Sequence, residues 1–160
     1  MPHVLISRKK CTGCHECELA CSAYHEGAFQ PSLARLNVWV NTTTGEIKGE
    51  TCMQTTCHKC EDVCPPKAIF TKDGILFVDE AKCDACVGRA EGPACIEVCS
   101  WNVIHLHPKT GRAFKCDLCD GDPQCLAYCQ NPRVLAVTLK ADKGDPVPAM
   151  ASLPGARSGS

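Results

Sequence analysis

Apolar positions along the chain form short alternating runs, never a long stripe. Val4-Leu5-Ile6 predicts a brief strand. Leu36-Asn37-Val38-Trp39-Val40 alternates, turns through Asn41-Thr42-Thr43-Thr44-Gly45 and resumes at Glu46-Ile47-Lys48, the pattern of a hairpin. Ala68-Ile69-Phe70 turns at Lys72-Asp73-Gly74 into Ile75-Leu76-Phe77-Val78. Val103-Ile104-His105-Leu106 turns at Pro108-Lys109-Thr110-Gly111 into Arg112-Ala113-Phe114, and 134–139 predicts a last strand. Short helices are expected at 17–24, 61–64, 96–99 and 126–129. The fold class is α+β with little regular structure and many tight turns.

The remaining periodicity belongs to cysteine. Sixteen in 160 residues fall into four groups of four: Cys11, Cys14, Cys17, Cys21; Cys52, Cys57, Cys60, Cys64; Cys83, Cys86, Cys95, Cys99; and Cys116, Cys119, Cys125, Cys129. Such density marks either a disulfide scaffold or a metal protein. The first ten residues contain no apolar export segment and no twin arginine, and no stretch approaches the roughly 20 apolar residues of a bilayer span. The chain is therefore expected to be cytoplasmic, where thiols stay reduced and bind metal. With four Phe and two Trp there is little bulk for a conventional core, so the metal centres are expected to serve as one and the metal-free chain to be largely unfolded.

The spacing selects the metal. The first group reads C-x2-C-x2-C-x3-C, the bacterial ferredoxin run for a cubane iron–sulfur cluster. Three sulfurs of such a loop reach three irons. The fourth lies one helical turn further on, faces away, and in two-cluster ferredoxins ligates the neighbouring cluster. Zinc needs two separated cysteine pairs in a tetrahedron and has no use for a triplet plus one. The other groups, spaced x4-x2-x3, x2-x8-x3 and x2-x5-x3, are variants of the same theme. Four groups imply four 4Fe–4S clusters, whose ligands come from paired groups. Spacing leaves three pairings open. A chain carrying four one-electron centres and little else points to electron transfer.

Charge modifies this picture. The formal net charge is −1. An oxidised cubane with four thiolates carries −2, so four of them take the chain to about −9. Lys10, Lys82 and Lys115 each precede the first cysteine of a group and either offset some of that charge or are solvated turn residues. His15 and His58 lie inside cysteine loops, but every group already has four thiols, so they read as surface histidines; His105 and His107 read as exposed strand residues. Tyr24, Tyr128, Trp39 and Trp101 read first as packing against clusters or strands, with a place between clusters or at a partner surface as the alternative. Nothing suggests nucleic acid, an organic cofactor or a catalytic residue.

Lys10-Cys11-Thr12-Gly13-Cys14-His15-Glu16-Cys17-Glu18-Leu19-Ala20-Cys21 and Lys115-Cys116-Asp117-Leu118-Cys119-Asp120-Gly121-Asp122-Pro123-Gln124-Cys125 resemble the four-cluster iron–sulfur subunits of molybdenum or tungsten oxidoreductases, some hydrogenases and carbon monoxide dehydrogenase. The resemblance covers about residues 3–139. It implies two ferredoxin-like double-cubane modules in tandem within residues 1–140, connected in nested order, one from 1–35 with 110–140 and one from 50–109. It also implies the pairing: cluster A on Cys11, Cys14, Cys17 and Cys129; cluster B on Cys116, Cys119, Cys125 and Cys21; cluster C on Cys52, Cys57, Cys60 and Cys99; cluster D on Cys83, Cys86, Cys95 and Cys64. The gap 87–94 departs from the tighter family spacing and bears on Cys95.

The segment Cys21-Ser22-Ala23-Tyr24-His25-Glu26-Gly27-Ala28-Phe29-Gln30-Pro31 is similar to the small subunits of tungsten aldehyde oxidoreductases. That likeness implies a non-catalytic subunit beside a large tungstopterin subunit, passing electrons to a ferredoxin or a flavin subunit. Residues 141–160 have the composition of an extended tail and are expected to dock on a partner chain. The alternatives are a subunit of a hydrogenase, carbon monoxide dehydrogenase or other molybdopterin enzyme, a free polyferredoxin, and a zinc scaffold.

Overall fold

The structure is a computed structural model. It describes residues 3–54 and 57–129, and the backbone of 137–140. Along the chain run β1 (His3–Ile6), α1 (Glu16–Glu26), β2 (Asn37–Val40), β3 (Ile47–Glu50), α2 (Lys59–Asp62), β4 (Ile69–Lys72), β5 (Ile75–Val78), α3 (Ala94–Glu97), β6 (His105–Leu106), β7 (Ala113–Phe114), α4 (Gln124–Ala127) and β8 (Val137–Lys140). The expected strand at 134–139 is present from Val137; 134–136 and the tail 141–160 lie outside the described residues. This is a small α+β protein of short elements, as expected.

Strands pair two by two into antiparallel ribbons. Three are hairpins closed by local chemistry. Asp73 and Gly74, both with positive φ, make the two-residue turn between β4 and β5. Asn41 closes the β2–β3 turn, its side-chain oxygen accepting from Thr43 and Thr44 N–H. The β6–β7 turn is closed by His107, whose ring accepts from Lys109 and Thr110 N–H while Nε2 lies 3.2 Å from Glu26. His107 is therefore buried and lies beyond β6, contrary to the exposed strand position expected for it. His105 is half-buried, with Nε2 2.8 Å from Asn37 Nδ2. The fourth ribbon pairs β1 with β8: His3 faces Lys140 and Ile6 faces Val137.

Helices begin about two residues earlier than expected, apart from α1, which begins one earlier and runs to Glu26. Prolines explain two of them. Pro93 and Pro123 hold φ near −65° and offer carbonyls to the first helical N–H groups of α3 and α4. The third cysteine of those groups thereby enters the first turn, and the fourth falls just past the helix end. Helix α1 stops at Gly27, which is left-handed (φ 64°) and returns its N–H to Ala23 O.

Helix α1 packs on α4, and α2 on α3. Two buried clusters result. One combines Val4, Leu36, Val38 and Leu118 with Cys17, Cys21, Cys52, Cys116 and Cys125. The other combines Ala68, Ile69, Leu76, Ile104 and Ala113 with Cys60, Cys64 and Cys95. Cys99 borders both. Glu18 is buried in α1 yet satisfied: it accepts Val38 N–H at 2.7 Å and meets His15 Nδ1 at 2.5 Å.

Candidate metal centres

All sixteen cysteines are free thiols. The backbone around them departs from ordinary geometry. Positive φ occurs at Gly13 and His15 in the first loop, Gln54 in the second, Ala85 and Cys86 in the third, and Leu118, Cys119 and Asp120 in the fourth. Non-glycine residues seldom adopt this conformation, and successive turns of opposite hand aim N–H groups into a concavity that suits an anionic group. Sulfur acceptors are met from inside and outside those loops: Gly13 N–H donates to Cys11 Sγ at 3.5 Å, while Arg35 N–H donates to Cys21 Sγ at 3.2 Å and Ala113 N–H to Cys83 Sγ at 3.4 Å.

Gly13 combines φ 71° with a wall, since an added Cβ would sit 2.7 Å from Val40 Cγ2. Gly13→Ala is therefore expected to cost about 1–3 kcal/mol, read as a lower thermal midpoint of the metal-loaded protein.

The folding of distant segments gathers the thiols. Cys60 has Cys52, Cys99 and Cys57 within electrostatic reach. Those four line one cavity with Trp101, Val103 and Ile104. Cys95 feels Cys86, Cys64 and Cys83, then Cys60. Cys125 feels Cys116, Cys119 and Cys21, then Cys17. Cys17 feels Cys11 and Cys14, while Cys11 and Cys129 border the same buried cluster as Cys17. Three of these gatherings draw on more than one cysteine group, with Cys21, Cys64 and Cys99 lying near thiols of another group.

Burial dominates the chemistry of these thiols. It pushes Cys17, Cys95 and Cys116 up to about 12 and Cys21 and Cys60 to about 11, with neighbouring thiolates adding to the effect. An empty site would thus keep its thiols protonated, and a cationic core would reverse that preference. Gathered soft sulfur donors, several of them met by backbone N–H groups, fit an iron–sulfur core.

Of the three lysines that precede a cysteine group the structure buries one, and further neighbours escaped the sequence. Lys115 is buried against Cys52, whereas Lys10 and Lys82 are exposed and Lys82 pairs with Asp79. His25 places Nε2 3.6 Å from Cys119 Sγ and 3.4 Å from Asp117 Oδ1, and the three side chains gather ligand atoms within 4.8 Å of one another. Burial, then the charge of Arg35, lowers the His25 pKa, and Asp117 opposes this. Arg35 in turn holds Asp117 at 2.5 Å. No local signal marks these residues, because each partner comes from a remote segment. The aromatic residues differ from expectation in another way: Tyr24, Tyr128, Trp39 and Trp101 are all more than half exposed. His15 and His58 pair with Glu18 and Glu61 one turn on, as loop histidines do.

Fold and thiols define a ferredoxin-like iron–sulfur protein. No family model matches the chain. It is 34% identical over 128 residues to the polyferredoxin-like subunit of aliphatic sulfonate oxidoreductase from Pyrococcus furiosus, covering 79% of this chain and 70% of that one. It is 29% identical over 135 residues to the B subunit of polysulfide reductase from Wolinella succinogenes, covering 74% and 66%. It is 28% identical over 142 residues to the thiosulfate reductase electron transfer subunit PhsB from Salmonella typhi, covering 79% and 70%. The chain belongs to the polyferredoxin-like electron-transfer subunits of oxidoreductases. No helix among the described residues is long and apolar enough to cross a membrane.

Proposed function

We propose that this chain relays single electrons through four 4Fe–4S clusters between a catalytic subunit and a ferredoxin or flavin partner, without catalysing a reaction itself. Cluster A would be held by Cys11, Cys14, Cys17 and Cys129; cluster B by Cys116, Cys119, Cys125 and Cys21; cluster C by Cys52, Cys57, Cys60 and Cys99; cluster D by Cys83, Cys86, Cys95 and Cys64. The gathering of Cys60 with Cys52, Cys57 and Cys99 carries the reading, because it joins two cysteine groups around one cavity. The packing of α1 on α4 and of α2 on α3 supports nested double-cubane modules within 1–140, of 1–35 with 110–140 and of 50–109.

A bound cubane supplies a site for one reversible electron. The chain's part is to fix thiols, exclude water and aim dipoles. Burial of Cys17, Cys21, Cys60, Cys95, Cys116 and Cys125 keeps solvent from sulfur. The N–H groups of Gly13, Arg35 and Ala113 favour added negative charge on the thiolates they touch, which raises a reduction potential.

For the partner, likeness at residues 10–31 supports the tungstopterin subunit of an aldehyde oxidoreductase. The sulfonate, polysulfide and thiosulfate enzymes among the relatives favour a second reading, an oxidoreductase acting on a sulfur compound. The tail 141–160 would dock on that subunit, and the whole would be cytoplasmic.

Anaerobically purified protein is expected to hold about 16 iron atoms per chain, and reductive titration by EPR to develop up to four half-integer spins. Zinc in place of iron, or well under a dozen irons, would overturn the reading. Tungsten in the co-purifying subunit supports the aldehyde enzyme over the second reading.

A further inference from the structure

Lys115 is 1% exposed and is the one buried lysine among the described residues. Its Nζ lies 2.7 Å from Leu76 O, 2.9 Å from Cys116 O and 3.6 Å from Cys52 Sγ. These three acceptors match the three protons of an ammonium group. Two are only carbonyl dipoles, and no carboxylate lies within ion-pair distance of it among the described residues. A cation buried this deeply needs negative charge to offset lost hydration. The Cys52 sulfur would supply it as a metal-bound thiolate, and Cys60 and Cys116 lie within reach of the same positive charge.

The site is built to hold this ammonium. Gln54, itself 1% exposed, donates Nε2 to Cys116 O at 2.9 Å and accepts Leu76 N–H on Oε1 at 3.1 Å. It thereby ties together the two backbone segments that present carbonyls to Lys115. Cys52 and Cys116 also feel each other's charge, so the ammonium stands where two thiol gatherings meet.

We propose that Lys115 is a potential-setting residue, whose buried ammonium raises the reduction potential of the centre held by Cys52, Cys57, Cys60 and Cys99, and to a lesser extent that of the centre holding Cys116. It acts through the thiolates and touches no reacting atom. The inference rests on the reading that these thiols hold iron–sulfur clusters. Taking up one electron makes the Cys52 side more negative by one unit with no proton transferred, and the fixed positive charge favours that state. A deep medium leaves the interaction little screened by salt.

The test is a reductive EPR titration of the full-length, iron-loaded protein carrying Lys115→Met, Lys115→Gln or Lys115→Arg. The two neutral variants are expected to lose at least tenfold in the equilibrium constant for reducing one centre, a fall of about 59 mV for one electron. A second centre should shift less, and the other two should hold within twofold. Lys115→Arg keeps the charge and is expected to retain most of the wild-type value. Unchanged midpoints in the neutral variants would overturn the proposal, as would an arginine variant that falls as far as the methionine one. If the variants fail to load iron, wild-type protein labelled with 15N at the lysine side chain decides. A nitrogen coupling in one centre's pulsed-EPR signal supports the proposal, and its absence from every signal overturns it. Protein that never binds iron sinks the electron-transfer reading too, and metal analysis recognises that case before any titration.

Discussion

Removing the metal is expected to abolish the native circular dichroism and leave a largely unfolded chain at neutral pH. Cysteines make up five of the twelve members of one buried cluster and three of the eight of the other, so thiols form a large share of the core. Without a metal core those side chains lose the contacts that define their positions. The remaining buried side chains are mostly small or medium aliphatics such as Ala34, Val38, Ala68 and Ala113, and α2, α3 and α4 are single turns. An isolated turn of helix has no stability of its own, and neither has an isolated two-stranded ribbon. Metal-binding free energy is then folding free energy.

The pH dependence has a definite sign. Burial raises these thiols from 9.0 to about 11 or 12. Any residual folded apo state is accordingly at its best below pH 9. It weakens as pH rises from 9 through 11 to 12, because the unfolded chain ionises first. Reloading with iron and sulfide expels protons from the thiols and is expected to improve as pH rises from 6 to 8. Circular dichroism of chelator-treated protein checks the first point; a native spectrum at pH 7 without iron would refute it.

Replacing Cys99 is expected to destroy the same centre as replacing Cys52, despite the 46 intervening residues. Under the proposed grouping Cys99→Ala and Cys52→Ala each remove about four irons, one cubane, and the double variant also removes about four. Cys99→Ala combined with Cys83→Ala should remove about eight. Grouping by sequence proximity reverses the pattern, with about eight for the first pair and about four for the second. The logic is that of a double-mutant cycle, in which groups acting as one unit are not additive. The expectation follows from the packing of α2 against α3, which brings Cys60 near Cys52, Cys57 and Cys99. Iron per folded chain, measured after gel filtration, reads the result. A loss of about eight with Cys99→Ala and Cys52→Ala together would undo the grouping.

Features that depend on a few adjacent residues were legible before any folding was considered. The three hairpins follow from Asn41, Asp73-Gly74 and Gly111, because a turn is decided by the φ preference and side-chain oxygen of its own residues. The iron–sulfur expectation rests on the run C-x2-C-x2-C-x3-C, because one short loop with three closely spaced thiols suits one compact core. Helix starts at Pro93 and Pro123 were equally local and could have been read from the prolines. Packing of the whole molecule was needed to show which remote thiols meet, which of three Lys-Cys dipeptides is buried, and that His107 turns inward to meet Glu26 and cap its own hairpin. Lys10, Lys82 and Lys115 have the same local chemistry before a cysteine, and burial of one alone depends on Gln54, Leu76 and Cys52 arriving from elsewhere. Contacts closed over dozens of residues depend on how all the loops pack at once, and no window of neighbouring residues contains that information.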